Sequence, residues 1–147
     1  MRRLVAILAA LVLSLSLSVP IVAAQDGQYV TGITVTSATV NKMGEVHITG
    51  YLYCQGFQEW DDRNIEVQGQ LIQAFGRKAT VRGGMGGGAW CELNGPTNWD
   101  AWAWADWGKF GPGWSTLQIG FGRTYCDEFN CWWQDMGGNN FYIKVTK

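Results

Sequence analysis

Trp102 and Trp104, two residues apart between Asp100 and Asp106, are the side chains of this sequence best suited to hold a ligand. They lie in the segment 98–107, Asn-Trp-Asp-Ala-Trp-Ala-Trp-Ala-Asp-Trp. On an extended strand alternate residues share a face. Trp99, Ala101, Ala103, Ala105 and Trp107 then line one side, and Asp100, Trp102, Trp104 and Asp106 line the other. Aspartate is almost never fully buried without a partner, so the spacing directs the alanine face inward and displays Trp102 and Trp104. Same-face neighbours stand about 6.8 Å apart, close enough for two indoles to form one apolar platform with Asp100 and Asp106 as polar edges. Flat aromatic area with hydrogen-bonding edges suits the faces and hydroxyls of sugar rings. The same kind of exposed apolar patch also serves association with protein, including self-association.

Other chemistry finds little material. His47 is the only histidine, there is no Gly-x-Ser-x-Gly nucleophile elbow, and the four cysteines are expected to be oxidised. Asp100 and Asp106 share a face but stand about 20 Å apart along a strand, beyond the roughly 5–9.5 Å that two-carboxylate glycoside hydrolysis requires. No enzyme activity is expected. Cysteine spacings with a single histidine fit no zinc pattern, and the acidic pairs Asp61-Asp62 and Asp127-Glu128 form no calcium ladder. Neither metal nor cofactor is expected. The glycine run 83–88 has no Lys-Ser or Lys-Thr after it, so it reads as a flexible or bulged connection between two edge segments and not as a phosphate loop. The Gly-Gly-Asn-Asn run at 137–140 reads as a turn.

The elements that must position the tryptophans are strands. Short runs of β-branched and aromatic residues recur between Gly, Pro, Asn and Asp clusters, with no stretch of helical period after residue 24. Strands are expected at 32–41, 45–54, 64–73, 79–82 with 89–93, 98–107, 115–125 and 141–146. Seven strands at this spacing give an all-β, immunoglobulin-like antiparallel β-sandwich, with a closed barrel as the structural alternative. In an immunoglobulin-like order the 98–107 strand pairs with the strand ending at Cys54, and the segment carrying Trp90 lies on its other side. One sheet surface would then hold Tyr51, Tyr53, Trp90, Trp102 and Trp104.

The N-terminus has the layout of a secretory signal: basic Arg2 and Arg3, an apolar run over 4–17, Pro20, and small residues at 22–24. The run falls short of the ~20 residues that span a bilayer. Cleavage after Ala24 would leave a single domain, 25–147, secreted and extracellular, with no membrane attachment. The 11 basic residues include Arg2 and Arg3, against 12 acidic ones, so the exported part is mildly acidic and unsuited to nucleic acid or anionic membranes. Export puts Cys54, Cys91, Cys126 and Cys131 in an oxidising compartment, where an even count reads as two bridges. Strand parity chooses among the pairings. Cys54 shares a face with Val46, Ile48 and Leu52, and Cys91 with Ala89 and Leu93, whereas Cys126 opposes the parity of Leu117, Ile119 and Phe121. Cys54 thus pairs with Cys91 across the interior, and Cys126 with Cys131 around a surface loop.

A strand ending in Tyr-Leu-Tyr-Cys at 51–54, a mid-chain Cys91, and Trp99 ahead of a Phe-Gly-Pro-Gly turn at 110–113 give the exported chain its resemblance to small secreted bacterial immunoglobulin-like domain proteins. The last third, Cys126 to Cys131 followed by a Gly-Asn turn and a final strand, resembles the neocarzinostatin-type apoproteins. That second resemblance implies a small-molecule carrier with a cleft lined by Phe129, Trp132 and Trp133. The function expected overall is a secreted non-catalytic binding module for carbohydrate or cell-wall polymer. An adhesion or assembly subunit that binds protein through the same patch is the first alternative, and a small-molecule carrier the second.

Overall fold

A computed structural model describes residues 27–76 and 79–147; the expected signal, 1–24, lies outside them. Seven strands, and no helix among the described residues, make up the fold: β1 (Tyr29–Val40), β2 (Val46–Gln55), β3 (Asn64–Phe75), β4 (Ala79–Trp90), β5 (Thr97–Ala105), β6 (Gly113–Cys126) and β7 (Cys131–Val145). They form one antiparallel sheet in the order β1-β2-β5-β4-β3-β6-β7. Where the sequence leads one to expect two facing sheets, hydrogen bonding joins all seven strands, and the sheet curls until its edges touch. Because seven alternating strands leave both edges running the same way, that contact has to be parallel. It is a single bridge, Thr39 to Thr146, in which the Val40 N–H donates to Thr146 O at 2.8 Å and the Thr146 N–H to Ala38 O at 2.9 Å.

Alternation decides what enters the curl. Val46, Ile48 and Leu52 of β2, Ala101 and Ala103 of β5, Val67 and Leu71 of β3, and Leu117 and Phe121 of β6 are buried. Trp99, 2% exposed, packs edge-on to Phe121 with ring centroids 5.5 Å apart. It fits because its neighbour across the ladder is Gly50; a Cβ there would sit 2.6 Å from the indole. The alanine face of β5 turns inward and Trp102 and Trp104 turn outward, as parity predicts. Trp107 does not follow that parity: β5 ends at Ala105, and Trp107 is 87% exposed in the turn.

Two glycine-rich segments expected as connections are strands. Residues 83–88 lie inside β4, in the middle of the sheet, paired on one side with β3 and on the other with β5. Ladder bonds to both neighbours outweigh the poor strand propensity of glycine. At Gly87 the lack of a side chain is required, since a Cβ would lie 2.8 Å from that of Ala101. Residues 137–140 likewise belong to β7, which pairs with β6 from Cys131 onward apart from an irregularity opposite Phe121 and Gly122.

The disulfides are Cys54–Cys91 and Cys126–Cys131. Strands β2 and β4 flank β5 and run parallel to each other, so both finish near its start, where the first bridge ties them. Buried Thr97, the first residue of β5, accepts the Glu92 N–H at 2.8 Å beside that bridge. Both bridges match an oxidising compartment, and no helix among the described residues is long and apolar enough to cross a membrane.

Candidate functional site

Strand β5 lies between β2 and β4, so the outer face around Trp102 is set by three registers. His47 of β2 is opposite Trp102 on one side and Gly86 of β4 on the other, while Gly84 is opposite Trp104. The His47 ring stacks on Trp102, centroids 4.6 Å apart and planes inclined by 19°. Asp100 holds that imidazole from the side, its Oδ2 3.4 Å from His47 Nε2. On the other side of Trp102 the facing position is a glycine and presents no side chain. Trp104 leans over the same glycine, its Cη2 3.7 Å from where a Gly86 Cβ would be. Trp102 is 40% exposed and Trp104 53%, so neither indole is covered by a loop or strand of the described chain.

The other expected platform residues share this sheet face but not this spot. Tyr51 is opposite Asn98, four residues from Trp102 and therefore about 14 Å along the strand. Tyr51 and Tyr53 meet edge to face at 6.4 Å, and Tyr53 also covers Gly32. Trp90, at the same end of β4, has the Arg63 guanidinium 4.8 Å above its ring. The single aromatic surface expected from the sequence is thus two groups, Trp102 with Trp104 and His47, and Tyr51 with Tyr53 and Trp90, separated by the row of Thr49, Asp100 and Gly88. Asp100 edges the first group by way of His47. Asp106 falls beyond β5 in the turn, where its backbone N–H donates to Arg82 O at 2.9 Å, so it does not mirror Asp100.

A second part of the face had no signal in the linear sequence. Continuing across the sheet from Trp104 and Gly84, the register brings Gln70 of β3, Gln118 of β6 and Asn140 of β7 into one row. Gln70 Nε2 donates to Gln118 Oε1 at 2.7 Å. The neighbouring row runs from Trp102 through Gly86, Gln68 and Gly120 to Gly138. A groove of about 680 Å³ opens over β3, β6 and β7, with Gly69, Gly120 and Gly138 in its floor and Gln70, Gln118 and Asn140 along it.

The C-terminal aromatics are arranged as a hairpin. Trp132 stacks on Tyr125, its cross-strand partner, at 6.1 Å, and Trp133 packs on Gly122. Phe129 is 87% exposed at the tip and does not close over them. The Asp127 carboxylate accepts the N–H groups of Phe129 (2.8 Å) and Asn130 (2.7 Å). Those two bonds favour its ionised form and hold it below the usual carboxylate range, the Phe129 bond contributing most. Trp114 and Tyr142 form another exposed stack, 4.9 Å apart and nearly parallel at 4°. Among the described residues no three His, Cys, Asp or Glu side chains gather so as to hold a metal ion. In comparisons with known proteins the chain matches no family model, and no curated protein or solved structure is significantly similar to it.

Proposed function

We propose that this protein is a secreted, non-catalytic binding module that takes carbohydrate on the outer face of β5. The observation that carries this reading is the pairing of two exposed indoles, Trp102 and Trp104, with glycines at the facing positions of β4. On the side of Trp102 that faces Gly86 the facing strand adds no side chain of its own and the tip of Trp104 borders the space, so a sugar ring there can meet both indoles. Two disulfides support an extracellular setting. The immunoglobulin-like reading of the fold belongs to the same proposal, supported by the seven antiparallel strands and by β5 standing between β2 and β4. Electrophoresis through native gels containing hydroxyethylcellulose, glycol chitin or xylan tests the reading. The protein is retarded in at least one of them, and a Trp102→Ala/Trp104→Ala variant with unchanged thermal unfolding runs as in a plain gel. Retardation in none, or retardation that survives the double substitution, contradicts it.

Assembly through protein contacts is the second reading. The stacked Trp114–Tyr142 pair favours it, because it places another exposed aromatic patch on the same molecule. Sedimentation that shows a size rising with concentration, abolished in Trp114→Ser, would support it.

A further inference from the structure

Glycine weakens a strand interior, so a strand glycine calls for a reason, and three on this face have none in the fold. Gly84 would meet nothing within 4 Å if it carried a Cβ, Gly120 only Gln68 O at 3.9 Å, and Gly86 the tip of Trp104 at 3.7 Å and Val67 O at 4.0 Å, both ordinary contacts. None of the three has a positive φ. Inward-facing Gly87 and Gly50, by contrast, are fixed by close packing. Gly84 and Gly86 keep the surface low between the tryptophans and Gln70, with only the tip of Trp104 above Gly86, and Gly120 keeps it low beside Gln118, on the far side of Gln68.

We infer that Gly84, Gly86 and Gly120 floor a binding strip that runs across the strands from Trp102 and Trp104 to Gln70, Gln118 and Asn140, and that it takes an uncharged polysaccharide chain several sugars long. The inference rests on the carbohydrate reading above and extends it. From β5 to β7 the strip crosses four strand spacings, about 19 Å, more than one sugar ring can occupy. The amide row supplies both donors and acceptors. Beyond the Gln70–Gln118 bond, Gln118 Nε2, Gln70 Oε1 and the Asn140 side chain have no hydrogen-bond partner among the described residues. Hydroxyl groups can use all of these. No Lys, Arg, Asp or Glu stands in either row of the strip, so nothing there would offset the charge of an acidic chain. Charged residues stand one row away on each side: Glu66, already engaged by the Thr124 N–H and hydroxyl, both at 3.1 Å, and Arg82, opposite Ile72.

The test is calorimetric titration of the protein with cello- and chito-oligosaccharides from dimer to hexamer, with polygalacturonate as the acidic probe. The hexamer of one neutral series is expected to bind roughly tenfold or more tightly than its dimer, the gain from a few added hydrogen bonds, and polygalacturonate not at all. Gly120→Val fills the floor with a strand-favouring residue and should keep or raise thermal stability. Gln70→Ala/Gln118→Ala removes the amides without adding bulk. Each is expected to bring the hexamer down to the dimer's affinity. Hexamer binding that is lost in Trp102→Ala/Trp104→Ala but unchanged in both strip variants overturns the strip and leaves the carbohydrate reading standing. Binding of polygalacturonate in preference to both neutral series overturns the neutral-chain assignment, and binding of no probe contradicts strip and carbohydrate reading together.

Discussion

The imidazole of His47 lies against the indole of Trp102, 4.6 Å between centroids, across the β2–β5 ladder. This stack covers one side of the Trp102 ring and leaves the other toward Gly86 and Trp104. An aromatic pair of this kind contributes about 0.5–1.5 kcal/mol beyond area burial, and pre-setting a contact ring lowers the cost of ordering it on binding. His47→Ala is therefore expected to weaken sugar binding by about three- to tenfold and to lower the melting temperature by only a few degrees, so that the variant is folded where binding is measured. Titration of wild type and variant with the same oligosaccharide checks this; unchanged affinity would show that His47 does not position Trp102.

Trp99 sits at the opposite extreme of burial, and its Nε1 has no hydrogen-bond partner among the described residues. Trp99→Ala should cost about 3–5 kcal/mol, the range for large aromatic truncations in a packed interior. Trp99→Phe keeps most of the contact with Phe121 and Gly50 and removes the unpaired donor, so it should cost well under half as much. Urea unfolding of the two variants measures the difference, and equal losses would contradict the packing described.

Buried Gln73 closes the far end of the fold from β3. Its Nε2 donates to Gly111 O at 2.7 Å and its Oε1 accepts the Gly111 N–H at 2.9 Å, pinning the loop that buries Phe110. Gln73→Ala leaves both backbone groups without that partner and should lower stability by about 2 kcal/mol. Hydrogen exchange at the Gly111 amide should accelerate in the variant; protection equal to wild type would argue against the clamp.

Asp127 supplies a pH dependence with a definite sign. Its pKa in the folded protein lies below the ordinary 3.8 because the ionised carboxylate accepts the Phe129 and Asn130 N–H groups. Its contribution is fully present above the unfolded-state pKa and is lost as pH falls through the lowered folded value. Asp127→Ala should therefore lower the melting temperature at neutral pH, with the gap to wild type narrowing below the ordinary carboxylate pKa. A gap that is constant across the acid range would contradict the two bonds.

Much of this was readable in the sequence wherever local alternation decides orientation. Ala101 and Ala103 turned inward, Trp102 and Trp104 outward, and both cysteine pairings followed from which face each cysteine shares. Reading failed where a neighbour's ladder overrides propensity, as in the glycine run of β4 and in residues 137–140 of β7. Trp107 was misplaced because alternation says nothing about where a strand stops. The amide row was out of reach altogether, since Gln70 and Gln118 are 48 residues apart and meet only through a register that no local pattern encodes. Even the split of the aromatics into two groups is a matter of register, which puts Tyr51 opposite Asn98 and not opposite Trp102.

The central claim, that the Trp102 and Trp104 face binds carbohydrate, is tested most directly by depletion of the protein from solution with insoluble cellulose, chitin and peptidoglycan, with the Trp102→Ala/Trp104→Ala variant alongside. The account predicts depletion by cellulose or chitin that disappears in the folded variant. Depletion by none of the three, or equal depletion of both proteins, would contradict it.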